Sequence, residues 1–151
     1  MVDVGIEKVN KKGLASKVSL RVGDSENILF EENSFDGITV GFGVRNFENL
    51  EKGLSEMHRV LNPEGQLIVL EFSKPKYFPI KQLYFFYFKF ILPKIGKLVS
   101  KDQTAYTYLP DSVNAFPDGK KFTDILEKVG FKSTKIIPCS FGIASIYVGT
   151  K

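Results

Sequence analysis

A single cysteine, Cys139, and a single histidine, His58, remove two classes of site at the outset. One thiol cannot close an intrachain disulfide, and one thiol with one imidazole makes no zinc set. A reducing, cytoplasmic compartment is the simplest expectation, with Cys139 packed as a small apolar residue. The opening "MVDVGIEKVNKKGL" lacks a basic segment followed by an apolar run, so no export signal is expected. The long apolar stretch from Tyr77 to Gly96 is broken by Lys81, Lys89, Lys94 and two prolines, which argues against a membrane-spanning helix. Basic residues run no further than pairs such as Lys11-Lys12 and Lys120-Lys121. The net charge of +4 and pI near 9.1 therefore describe a solvated surface, and no nucleic-acid partner is expected. Repeats and low-complexity tracts are also missing.

What is present is one globular domain's worth of chain, 151 residues at 43% hydrophobic and 25% charged. Val4, Ile6 and Val9 predict a short helix ending at Gly13. "KVSLRVGD" alternates at Val18, Leu20 and Val22 and predicts a strand stopping at Gly23-Asp24. After a loop, "FDGITVGFG" predicts a strand buried on both faces. Leu50, Leu54, Met57 and Leu61 fall at helical spacing, "NPEG" is a turn, and "QLIVLEF" is a third buried strand. Strand, helix, turn and strand make a βαβ unit with parallel pairing. Beyond it lie an aromatic-rich stretch at about 75–115, a helix over Phe116 to Val129 capped by Gly130, and an antiparallel strand pair turning near Pro138 to Ser140. The fold class is α/β.

"GVRN", Gly43 to Asn46, places an arginine and an asparagine just after a strand. In open α/β sheets ligands bind outside the carboxyl ends of the strands, so this pair is a candidate contact for something small.

Laid end to end, "NSFDGITVGFGVRNF", "VLEFSKP", "ILPKIG", "YTYLPDSVNAFP" and "GFKSTKIIPCSFGIASIYVGTK" resemble the UbiE/MenG family of ubiquinone and menaquinone biosynthesis C-methyltransferases. "LSEMHRVLNPEGQLIVLEF" is similar to a late motif of class I S-adenosylmethionine-dependent methyltransferases in general. The resemblance covers nearly all of residues 1–151. It implies a Rossmann-like sheet of parallel strands with an antiparallel last pair, S-adenosylmethionine as cofactor, and methyl transfer to a ring carbon of a prenylated quinol. The family's first two strands and its glycine-rich cofactor loop have no counterpart here, so the expected sheet is incomplete. The expected entity is a partial methyltransferase domain, a fragment or truncated frame, inactive without the missing part. Without those strands "KVSLRVGD" has no neighbour to pair with and the edge of "FDGITVGFG" is exposed. The alternative is a non-catalytic remnant serving as a binding or assembly module. A methyltransferase for another lipophilic or sterol-like acceptor is a third reading, against which the "RNF" and "VLEFSKP" matches argue.

The resemblance also assigns roles. Asp24 and Ser25 would read the cofactor's adenine, although an Asp in this place equally caps a loop. Thr39 and Gly41 would lie near the sulfonium, unless Gly41 only relieves crowding. Methylating a quinol carbon demands a phenolate-like ring, and Arg45 is the natural partner for its oxyanion. An ion pair to Glu71 or Asp102 is the plainer use of Arg45. Asn46 would orient the ring oxygen or cap the following helix. Glu71, Tyr106 and Tyr108 are candidate bases, with simple solvation the alternative for Glu71. His58 lies on the crossover helix, away from the strand ends, and is expected to pack. The aromatic block from Tyr77 to Phe90 suits a channel for a polyprenyl tail, with Lys81, Lys89, Lys94 and Lys97 available to anionic headgroups at the inner face of a membrane. Core packing or a homodimer interface would use the same aromatic residues.

Overall fold

Strand pairing begins at Phe35. The computed structural model describes residues 2–91 and 104–151, with the side chains of residues 104–107 outside that description. Strands β1 (Phe35–Gly41), β2 (Leu61–Phe72), β3 (Lys132–Cys139) and β4 (Ala144–Thr150) form one sheet in the order β1-β2-β4-β3. β1 and β2 are parallel, while β2 with β4 and β4 with β3 are antiparallel. The expected α/β class and terminal antiparallel pair are both present.

Helix α1 (Val2–Lys11) buries no residue. Helix α2 (Leu50–Val60) makes the crossover from β1 to β2, and its N-cap is Asn49, whose side chain accepts from the Lys52 amide at 3.0 Å. Asn46 therefore does not cap it. The helix runs directly into β2, and "NPEG" loops out of the parallel register, which jumps from Phe35↔Leu61 to Gly37↔Gln66. Glu64 there has φ +64°, and the Asn62 amide donates to Asp36 at 2.7 Å, which fixes the loop.

Helix α3 (Ile80–Phe86) continues into a π-helical turn at Tyr87–Ile91. Helix α4 (Thr104–Ala115) and helix α5 (Lys120–Lys128) follow. The sequence places the start of this last helix at Phe116, but Pro117 and the positive φ of Gly119 (+66°) delay it to Lys120. Gly130, at φ +112°, ends it, with its N–H bonded to the Glu127 carbonyl.

One core holds these parts together. Leu54 and Met57 from α2, Phe122 and Leu126 from α5, Leu67 and Val69 from β2, and Tyr147 from β4 are all buried in it. Each such large side chain contributes on the order of 1.5–3 kcal/mol by leaving water.

Two expectations are corrected. "KVSLRVGD" forms no strand: among the described residues only an isolated bridge, Asp24 to Asn27, occurs near it. A strand needs a partner for its ladder of N–H and C=O groups, and none lies alongside. β1 has the expected exposed edge, but it is not buried on both faces. Ile38 and Val40 turn half-buried toward the core, while Asp36, Gly37, Thr39 and Gly41 are exposed. The sheet accordingly has four strands among the described residues, fewer than the resemblance implies. No helix among them is long and apolar enough to cross a membrane.

Candidate active site

The carboxyl ends of the parallel pair bring Arg45 and Glu71 together. β1 is followed by Phe42, whose φ of +54° is rare for a bulky residue, and this bend leads into a short 3-10 turn over Val44–Asn46. Val44 plugs into the core, and Arg45 is thereby aimed at β2. The guanidinium Nη1 donates to Glu71 Oε1 at 2.8 Å and to the Phe42 carbonyl at 2.7 Å. Glu71 is fully buried, and it also accepts from the Phe72 amide at 2.9 Å and, at 3.4 Å, from the Arg45 amide. The Glu71 side chain is therefore not solvated as one reading of the sequence has it. The plainer use of Arg45, an ion pair to Glu71, is the one observed; Asp102 lies outside the described residues. The pair leaves one donor unspent, since Arg45 Nε is buried with no partner among the described residues. The guanidinium lies over the Phe72 ring, 5.4 Å from its centroid, and Phe42 packs on the same ring at 4.6 Å.

Asn46 is exposed, and its Oδ1 accepts from the Tyr108 hydroxyl at 2.7 Å, linking the 3-10 turn to α4. Tyr106 lies on α4, but its side chain falls outside the described residues.

Of the four residues read as cofactor contacts, Thr39 and Gly41 lie on β1, and Asp24 and Ser25 in the loop before it. Asp24 Oδ1 accepts from the Glu26 amide at 2.9 Å, so the loop-capping use of this aspartate is in place; Ser25 beside it is half-buried. Thr39 and Gly41 stand exposed on β1. A Cβ added to Gly41 would meet no heavy atom within 4 Å, and its φ is not positive. Neither crowding nor backbone conformation therefore requires glycine there.

His58 packs against Phe131, rings 5.0 Å apart, with its pKa lowered by burial and then by the charge of Lys151.

Two cavities lie beside this cluster; none of the residues read as catalytic or cofactor-binding lines either, but Tyr77, Phe78, Tyr84, Tyr87 and Phe88 of the aromatic block do. The larger, about 780 Å³, lies between the loop after β2 and the β3–β4 turn, with Ser73, Phe78, Gly119, Ile136 and Phe141 among its walls. The smaller, about 520 Å³, is bounded by Phe72, Leu83, Tyr84, Phe88, Leu109 and Ile143. Ile80 borders both. Phe72 is the link to the charged pair: its ring forms a wall of the smaller cavity and carries the Arg45 guanidinium. Tyr84 is the residue that sequence reasoning did not single out. It is one of eight aromatic residues in a short block, and only packing separates its buried hydroxyl from the exposed side chains of Tyr77 and Phe78. Lys81 and Lys89 are exposed on the same helical segment; Lys94 and Lys97 lie outside the described residues.

A model of the ubiE/COQ5 methyltransferase family matches residues 1–151. The chain belongs to that family. Relatives match it over its whole length. It is 47% identical to a demethylmenaquinone methyltransferase of Bacteroides fragilis, covering 62% of that protein. It is 46% identical to a ubiquinone/menaquinone biosynthesis C-methyltransferase UbiE of Geotalea uraniireducens, covering 64% of it. The chain thus spans less than two thirds of the length of these relatives. Among solved structures, a SAM-dependent methyltransferase of Thermotoga maritima superposes with a TM-score of 0.63 at 20% identity, over 94% of this chain and 69% of that one. One from Aquifex aeolicus gives 0.59 at 19%, over 99% and 62%. At such identities the likeness is one of fold, and that fold is the class I methyltransferase sheet.

Proposed function

We propose that this chain forms the acceptor side of an enzyme that moves a methyl group from S-adenosylmethionine to a ring carbon of a prenylated quinol. The observation that carries this reading is the Arg45–Glu71 pair, buried at the ends of two parallel strands and joined through Phe72 to an apolar cavity. Family membership and the relatives' names support the same reaction class.

S-adenosylmethionine, when bound, supplies an electrophilic methyl group on a sulfonium. Thr39 and Gly41, near the end of β1, would lie near it, with Asp24 and Ser25 available to its adenine. Attack by a ring carbon requires electron density from the neighbouring ring oxygen. Arg45 stabilises the negative charge that develops on that oxygen, because its guanidinium carries its charge permanently and offers several donors. Glu71 holds the guanidinium in place. Its own oxygens already accept from Arg45 and two amides, so positioning Arg45 is the role its contacts fit. Asn46, whose Oδ1 accepts from Tyr108, would orient the ring oxygen. The exposed aromatic side chains of α3 and its π-helical turn, with Lys76, Lys81 and Lys89, form the face that would meet an anionic membrane carrying the substrate.

The test is methyl transfer by the complete protein to a short-tailed demethylated quinol. Arg45→Gln should lower kcat by about 10²–10³ with a much smaller change in KM, as for removal of an oxyanion donor. Unchanged kcat in a folded Arg45→Gln protein overturns the assignment.

A further inference from the structure

The turn between β3 and β4 presents a large side chain that the core does not use. Phe141 is 81% exposed, and it stands in the middle of three residues, Ser140, Phe141 and Gly142, whose φ angles are +48°, +58° and +87°. Glycine suits this left-handed region, and a bulky residue there is strained. The ring thus strains the turn and gains little burial within the fold. Tyr77 and Phe78, in the loop after β2, are equally exposed. All three side chains border the larger cavity, so they gather at its open rim, and the partly exposed Ile136 borders it too. Large apolar side chains grouped in water mark a surface that meets another body.

Charge identifies that body. From Ser73 to Ile91 the chain carries four lysines and no acidic residue, and from Lys132 to Lys151 it carries no acidic residue either. Lys76 on the cavity wall, with Lys81, Lys89 and Lys135, is exposed. The aspartate at the cavity, Asp118, is already paired with Lys74 at 3.2 Å. Exposed rings among unopposed cations fit a lipid surface with anionic headgroups, where the rings enter the acyl boundary and the ammonium groups stay at headgroup level. A second copy docked through the same face would set lysines against lysines.

We infer that the β3–β4 turn inserts Phe141 into an anionic bilayer, with Tyr77 and Phe78 beside it, so that the rim of the larger cavity is pressed to the membrane. The inference rests on the proposed lipophilic acceptor for its purpose, and adds to the face of α3 the element that enters the bilayer.

The experiment measures partition of the complete protein, without acceptor or cofactor, onto vesicles of phosphatidylcholine alone and of phosphatidylcholine with an equal part of phosphatidylglycerol. The wild type should bind the mixed vesicles and leave the neutral ones largely bare. Phe141→Gly should bind the mixed vesicles about tenfold more weakly, as for one large apolar side chain that no longer leaves water. In solution the same variant should melt about 2–4 °C higher, because glycine accepts the left-handed turn without strain. A lower melting point would make Phe141 a packing residue and overturn the inference. Lys76→Gln should weaken binding to the mixed vesicles about fivefold, as for one cation lost near an anionic surface. A wild type that ignores both vesicles, a Phe141→Gly protein that binds as the wild type does, or a loss confined to self-association also overturns it. Methyl transfer to a short-tailed quinol in solution is read separately. Transfer without vesicle binding leaves the proposed reaction standing and overturns this inference, and vesicle binding through Phe141 without transfer does the reverse.

Discussion

The segments Phe35–Phe72 and Leu14–Phe30 differ in what holds them. In the first, Ile38 and Val40 pair through their backbones with β2, and α2 seals Leu54 and Met57 over the sheet. In the second, Val18, Leu20 and Val22 alternate just as regularly, yet Val22 is 86% exposed and no ladder forms. What ties the second segment down is mainly polar, beside Ile28 against the core and Phe30 edge-on to Phe35. Arg59 donates to the Phe30 and Ile28 carbonyls at 2.8 and 2.9 Å, Glu56 accepts from the Ile28 amide at 3.0 Å, and Glu26 accepts from the Asn49 amide at 2.8 Å. Alternation is a local property of the chain, whereas a strand requires a neighbour. The contrast separates a cooperative core from a tethered loop.

The largest expected effect lies at the polar centre of the first region. Glu71→Gln keeps the shape but leaves Arg45 buried against a neutral group, and should lower unfolding free energy by about 3–5 kcal/mol in urea titrations. Glu26→Gln, at an exposed tether of the second region, should change it by less than about 1 kcal/mol. If the two variants lose equal stability, the distinction between the regions is wrong. Next comes packing. Leu54→Ala, at a fully buried site, should be destabilised by about 3 kcal/mol, and Val22→Ala should stay within about 0.5 kcal/mol of the wild type.

The same contrast explains what could be read in advance. Helical spacing locates α2, and a continuous apolar run locates β2, because those patterns reflect the face turned to the core. Arg45 and Glu71 were legible as strand-end residues, since the βαβ order alone brings the ends of β1 and β2 side by side. Their mutual ion pair is one of the uses that the sequence leaves open for Arg45. Which aromatic side chain of the 77–90 block turns its hydroxyl inward was not legible, because residues of nearly identical character differ only in their neighbours in space. Nor was the exchange of Asn46 for Asn49 as the cap of α2: two asparagines three residues apart satisfy the same rule, and the 3-10 turn decides between them.

The finest discrimination comes from the tether itself. Arg59→Ala removes two hydrogen bonds to the 28–30 backbone and should cost about 1 kcal/mol, with faster amide exchange at Ile28 and Phe30 and unchanged exchange in β2. Acid should act at the same place. The hydrogen bond from Arg59, helped by the Ile28 amide, holds the Glu56 carboxyl down at about 2, against 4.5 for the group in its ordinary state. The folded pKa is the lower one, so the unfolded chain binds more protons in this window. The contribution of Glu56 is complete above about pH 4.5 and is lost as pH falls toward about 2. Partial exposure of the pair screens it and keeps the effect small. In Glu56→Gln this part of the acid dependence should vanish, while exchange at Ile28 becomes fast already at neutral pH. A Glu56→Gln protein that keeps the full acid dependence would place the titrating group elsewhere, and would leave the 28–30 segment held by something other than the Arg59–Glu56 clamp.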